Sequence, residues 1–150
     1  MVIPEGVIEI APGVFGSMKE ITSVSIPDSV KRIGNTEKQF NITGGSFHGC
    51  SKLKKVNIPD SVVYIMPHSF LTGKGLVEVD ISTRKLLQLG SYEIFYIFNG
   101  PVGKLLDKRL KEEGPRFKEE CCEQGICWSC SAPLDTKSDR KCKICGVKLH

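Results

Sequence analysis

The chain has 150 residues, of which 40% are apolar and 25% charged, and a formal charge of +4. These values exclude a disordered or collagen-like chain and leave room for one domain, or one domain with a small appendage. No run reaches the ~18 apolar residues of a membrane span, and the first basic residue, Lys19, follows Glu5 and Glu9, unlike the basic start of a secretory signal.

A repeat opens the chain. Ile3-Pro4, Ile26-Pro27 and Ile58-Pro59 begin three similar segments, and Ile81 begins a fourth without its proline. The outer two steps are equal, at twenty-three positions each, and the middle one is nine longer. Residues 35–43 account for the longer middle step. With them removed, five apolar columns align: Val7, Val30 and Val62; Ile10, Ile33 and Ile65; Phe15, Phe47 and Phe70; Ile21, Leu53 and Leu76; Val24, Val56 and Val79. A unit this short has too few apolar residues for a core of its own, so the units must stack into a solenoid. The L-x-x-V-x-I stretches at 21–26, 53–58 and 76–81 are expected to be short parallel strands, ended at Pro27 and Pro59 because proline lends no N–H to a ladder. The V-x-x-I piece then crosses to the far side, and the phenylalanine packs inward under a turn.

Cys50 shares a column with Met18 and Gly73 and reads as a small buried hydrophobe. His48 and His68 fall in different columns and read as surface or turn residues. Asn41-Ile42-Thr43 fits a glycosylation acceptor. Past Ile81 the pattern degrades, with Leu86 and Leu89 one column late, as in a terminal repeat. Residues 104–113 are rich in helix formers and place Leu105, Leu106 and Leu110 on one side. Gly114-Pro115 should stop this helix, which is expected to cap the last apolar layer.

The units resemble the BspA-like leucine-rich repeat family, in Ile-Pro-Asp-Ser-Val, the following x-x-Ile, the Ser-Phe and Gly-Cys turn at Phe47, Gly49 and Cys50, and Leu-x-x-Val. Residues 96–117 are similar to the family's closing segment, which implies a glycine-rich turn, the amphipathic helix and a return strand. The expected fold is therefore an α/β repeat: a short leucine-rich-repeat solenoid of parallel strands over 1–100 and a helical cap with return strand over 101–117. A linker over 118–126 and a small four-cysteine zinc ribbon over 127–150 would follow. The chain begins halfway through a unit, with no N-terminal cap visible. That suggests a piece of a longer array, or self-association through the uncapped edge, since an unpaired edge favours aggregation.

Six of the seven cysteines lie in the last thirty residues, which argues for a local site and against a disulfide framework. Cys127-Trp-Ser-Cys130 and Cys142-Lys-Ile-Cys145 are two C-x-x-C pairs, and four thiolates from two knuckles close a tetrahedron around one structural zinc ion. Residues 145–149 resemble the second knuckle of short bacterial zinc ribbons, whereas Ser131 stands where the first knuckle usually has glycine. A disulfide-linked tail and a redox-active Cys127–Cys130 pair are the competing readings. A catalytic zinc is disfavoured because four cysteines leave no open position. Cys121 and Cys122 read as exposed thiols of the linker, and His150 as a substitute ligand the site does not need.

No nucleophile, base or open metal site can be placed; Ser46, His48 and Asp60 are not brought together by any pattern. The chain is expected to be non-enzymatic and to bind a protein partner through the variable strand positions: Thr22, Ser23 and Ser25, then Lys54, Lys55 and Asn57, then Val77, Glu78 and Asp80. A cytoplasmic interaction protein is the leading expectation. A fragment of a cell-surface adhesin, which the family resemblance also implies, is the first alternative. A nucleic-acid-associated zinc ribbon is the second; four thiolates on one zinc would lower the charge to about +2, so charge does not favour it.

Overall fold

The computed structural model describes residues 1–34, 45–72, 75–98, 100–135 and 140–149. The insert at 35–43 with its glycosylation acceptor, Gly73 and His150 lie outside the described residues.

Among the described residues, six short strands form two parallel ribbons. Strands β1 (Glu9–Ile10), β3 (Arg32–Ile33) and β5 (Tyr64–Ile65) make one; β2 (Ser23–Val24), β4 (Lys55–Ile58) and β6 (Glu78–Ile81) make the other. Their registers reproduce the sequence steps. Glu9 pairs with Arg32 and Arg32 with Tyr64; Ser23 pairs with Lys55 and Lys55 with Glu78. The V-x-x-I piece thus builds a ribbon of its own. Val2 bridges in parallel to Ser25, which extends the second ribbon by one more rung.

The inward columns form one core. Ile3, Ile26, Ile58 and Ile81 are buried, as are Ile10, Ile33 and Ile65, Ile21, Leu53 and Leu76, and Val24, Val56 and Val79. The phenylalanines stack ring on ring, Phe15 on Phe47 at 5.2 Å, Phe47 on Phe70 at 5.1 Å and Phe70 on Phe98 at 5.3 Å, each pair within 14° of parallel. Cys50 is fully buried, its Sγ 3.0 Å from the Phe15 carbonyl, and burial pushes its thiol pKa up. His48 is half-buried, and His68 is exposed in a left-handed turn.

Two expectations fail beyond Ile81. The degraded repeat is a helix, α1 (Thr83–Ile97), capped by Ser82, whose Oγ accepts from the Lys85 N–H at 3.0 Å, and broken at Gly90 (φ 74°, ψ 167°). Leu86, Ile94 and Ile97 enter the core, and Phe98 lengthens the aromatic stack. Phe98 comes later after Phe70 than the repeat step would place it, because the helix occupies the extra length. Lys85 stands one step after Val62 and is buried. Its Nζ donates to the Val62 carbonyl at 2.6 Å and to Gln88 Oε1 at 2.7 Å, and burial holds its pKa below the usual lysine value. The equivalent carbonyl one repeat earlier, on Val30, accepts from Ser61 Oγ at 3.0 Å. Lys85 therefore satisfies an acceptor where the repeat pattern ends.

The second failure is the helix stop. Helix α2 (Gly100–Glu123) runs through Gly114 and Pro115, so neither the return strand nor the linker over 118–123 forms. Gly114 is buried against α1, where a Cβ would sit 3.0 Å from Leu87 Cδ2. It serves close helix packing. Pro115 sits inside the helix, where it lacks the N–H that would bond the Lys111 carbonyl and its ring crowds that carbonyl. Pairs four residues apart, Asp107–Lys111, Lys108–Glu112, Arg109–Glu113 and Arg116–Glu120, run along the helix, with Asp107 itself buried. Glu113 also accepts from Thr83 Oγ1 of α1 at 2.8 Å. Val102 and Leu106 from α2 join the repeat core.

Candidate metal centre and repeat surface

The two C-x-x-C segments fold alike, with each bond of the first recurring at the matching position of the second. In the first, the Ser131 N–H donates to the Cys127 carbonyl at 3.0 Å and the Cys127 N–H to the Ala132 carbonyl at 2.8 Å. In the second, Gly146 donates to Cys142 at 2.8 Å and Cys142 to Val147 at 3.0 Å. The outer rungs keep the same correspondence: Leu134 donates to Gly125, Leu149 to Arg140, and antiparallel bridges join Ile126 to Pro133 and Lys141 to Lys148.

Each turn needs one left-handed residue, and both positions have it: Ser131 at φ 61° and Gly146 at φ 72°. Serine there strains the backbone by about 1 kcal/mol, whereas glycine does not. Ser131→Gly is therefore expected to leave the fold intact and raise stability slightly. Gly146→Ala, with no atom within 4 Å of the new Cβ, should cost about 1 kcal/mol purely through φ. Metal-retention half-life or thermal melting of the two variants checks both signs.

These turns bring Cys127, Cys130, Cys142 and Cys145 together, their sulfurs all within 4.8 Å of one another. The cross-knuckle distances, Cys127 to Cys145 and Cys130 to Cys142, are both 3.7 Å. Sulfurs placed ~2.3 Å from a central zinc at tetrahedral angles lie ~3.8 Å apart, so the donor set and its spacing fit one such ion. Backbone N–H groups of Cys130 and Ser129 face the Cys127 sulfur; those of Cys145 and Ile144 face Cys142. The Cys145 N–H is the main reason the Cys142 thiol falls to about 7. Cys130 is pushed up to about 12, first by loss of solvent around its sulfur and then by the neighbouring sulfurs.

Cys121 corrects the expectation of an exposed thiol. It is buried on α2 in an apolar cluster with Cys127, Cys142, Trp128 and Leu149, and burial raises its pKa. Cys122, next in the helix, is half-buried. Neither belongs to the four-sulfur group.

The residues that seat this cysteine unit were not singled out from the sequence. Arg84 Nη1 donates to the Cys127 carbonyl at 3.2 Å, and Gln88 Nε2 to the Ser129 carbonyl at 2.7 Å. Lys118 Nζ lies 4.9 Å above the Trp128 ring, whose Nε1 donates to the Lys148 carbonyl at 3.1 Å. The one available signal was that the chain has a single tryptophan, placed between the two cysteines of the first C-x-x-C pair.

On the β2–β4–β6 ribbon, Thr22, Ser23, Ser25, Lys54, Lys55, Val77, Glu78 and Asp80 are exposed. Lys55 Nζ meets Glu78 Oε1 at 2.5 Å, which raises the lysine pKa, while Arg32–Glu9 and Lys52–Glu20 join neighbouring repeats in the same way. Asn57 is half-buried and does structural duty. Its Oδ1 accepts from the Ile26 N–H and its Nδ2 donates to the Ile26 carbonyl, both at 2.8 Å. An open groove of about 420 Å³ runs along this ribbon beside Ser23, Ser25, Lys55 and Asp80. Ser46, His48 and Asp60 form no hydrogen-bonded triad: Ser46 Oγ donates to the Ile10 carbonyl, and Asp60 accepts from Ser82.

Among the described residues, no helix is long and apolar enough to cross a membrane. No curated protein matches the chain. Among solved structures, a leucine rich cell surface protein from Faecalibacterium prausnitzii A2-165 is similar at 24% identity, over 55% of this chain and 31% of that one, with a TM-score of 0.25. This chain thus matches about a third of that protein's length, and a likeness at that score carries no argument. Residues 1–96 match the BspA type leucine rich repeat region, in six copies. The match takes in most of the chain, and its strands and columns recur at the repeat step, so the chain belongs to the BspA type leucine-rich repeat family.

Proposed function

We propose that the chain is a non-enzymatic protein-binding module: a leucine-rich-repeat solenoid whose β2–β4–β6 ribbon meets a protein partner, with a structural zinc ion held by Cys127, Cys130, Cys142 and Cys145. One contrast within the chain carries this reading. Inward positions repeat the same residue class from unit to unit, while the outward column changes freely, Ser23 to Lys55 to Glu78. Such a stack offers an extended surface that varies without disturbing the core. The four-sulfur geometry supports the metal, and thiols held by a metal suit a reducing compartment such as the cytoplasm.

The surface is tested by exchanging a charge pair. Lys55→Glu with Glu78→Lys keeps the cross-strand pair and reverses its polarity, so stability should stay within about 0.5 kcal/mol. Lys54→Glu and Asp80→Lys complete the reversal. Chemical crosslinking of the tagged chain in its source cells should lose the partners seen with the unaltered chain. Full retention of every partner by the folded four-fold variant would remove this ribbon as the binding face. Cysteines found oxidised in the natively isolated chain would transfer the reading to a surface-exposed protein.

A further inference from the structure

The cysteine unit is seated on the helices. Its apolar cluster takes Leu87 from α1 and Phe117 and Cys121 from α2, and Arg84, Gln88 and Lys118 reach its backbone or its tryptophan. Helix α2 is therefore shared between two cores. Val102 and Leu106 belong to the repeat core, Phe117 and Cys121 to the cysteine cluster, and Gly114-Pro115 lies between. Pro115 gives no N–H to the Lys111 carbonyl, so the turns beyond it are tied less firmly to those before. Among the described residues, Phe117 and Cys121 belong to the cysteine cluster and not to the repeat core. A unit this small, with few apolar side chains, keeps its shape through its crosslink.

We propose that metal occupancy at the four cysteines works as a clasp on the end of α2: with the ion bound, residues 116–123 are held helical and Cys121 is shut away, and with it removed this segment opens while the repeat core stays folded. The inference rests on the metal reading above. Coupling of this kind is reciprocal, so loosening the helix side must also weaken the metal. The chain carries its own reporters. Cys121 and Cys50 are both buried, one in each core.

The test uses the full chain, loaded with Zn²⁺ alone or treated with EDTA, alkylated with iodoacetamide and read cysteine by cysteine by peptide mass spectrometry. Chelation is expected to speed alkylation of Cys121 by about tenfold or more and to leave Cys50 unchanged. Phe117→Ala, which replaces none of the four cysteines, is expected to release Zn²⁺ several times faster. Reactive ligand cysteines with Cys121 still protected would overturn the clasp and leave the metal reading standing. Cys50 rising in step with Cys121 would overturn it too, since the ion would then hold the whole chain. Failure to take up Zn²⁺ at all would overturn both readings.

Discussion

Phe47→Ala is expected to destabilise the chain by about 3–5 kcal/mol. Phe47 is fully buried, and its ring is sandwiched between Phe15 and Phe70 at 5.2 and 5.1 Å. Truncation removes two stacked contacts, and the backbone on either side is fixed by ladder bonds, Phe15 N–H to Ser46 and Phe47 N–H to Ser69 at 3.0 and 2.9 Å. The cavity therefore has little freedom to collapse. With a urea dependence of about 2 kcal/mol per molar, the unfolding midpoint should fall by about 2 M. Phe15→Ala supplies the internal comparison. Phe15 is half-buried at the end of the stack, with a ring partner on one face, so its loss should be about half as large. Equal losses at the two positions would mean that stacking is not what holds neighbouring repeats together.

Cys142→Ser is the second large effect. A small four-thiolate zinc site contributes roughly 10–16 kcal/mol. Losing one ligand of four should remove roughly 3 kcal/mol, about a hundredfold in affinity. The purified variant should then carry far less than one ion per chain, by metal analysis after dialysis. Trp128 reports the structural outcome. It is the single tryptophan, 7% exposed, and bonded through Nε1 to Lys148, so its emission should move to the red as the two knuckles separate. Cys122→Ser changes a cysteine outside the four-sulfur group and should keep the ion and the emission unchanged. One ion retained by Cys142→Ser would refute the ligand assignment.

The repeat was legible because its information is periodic. A constant step along the chain places Glu9 beside Arg32 and Lys55 beside Glu78 without any knowledge of the third dimension. The four cysteines were legible for a related reason, since two C-x-x-C turns bring their sulfurs close through local backbone geometry. Helix α1 was missed where the period changes. At the repeat step Leu86 and Leu89 are out of column; in the helix Ser82 is the cap, Leu86 is buried before the break at Gly90, and Ile94 and Ile97 are buried after it. Gly114-Pro115 misled because the same dipeptide stops one helix and lets another be approached closely. The choice was made by Leu87, far away in the chain. Asn57 and Cys121 were misjudged on the same ground: their roles depend on Ile26 and Trp128, partners that no local pattern announces.

The parallel ribbons also set how the chain would respond to force. Neighbouring rungs lie ~4.8 Å apart, while one repeat drawn out straight spans ~80 Å, so each coil stores many times its axial height as slack. The ladder bonds run along the stack, which places them in the direction of a pull applied at the two ends. They would break rung by rung, the two-residue pairings such as Glu9–Ile10 with Arg32–Ile33 ahead of the four-residue pairing of β4 with β6. A tether built this way would lengthen in steps of ~80 Å, or ~110 Å for the longer middle repeat, and would shorten again by re-stacking onto the coil that remained.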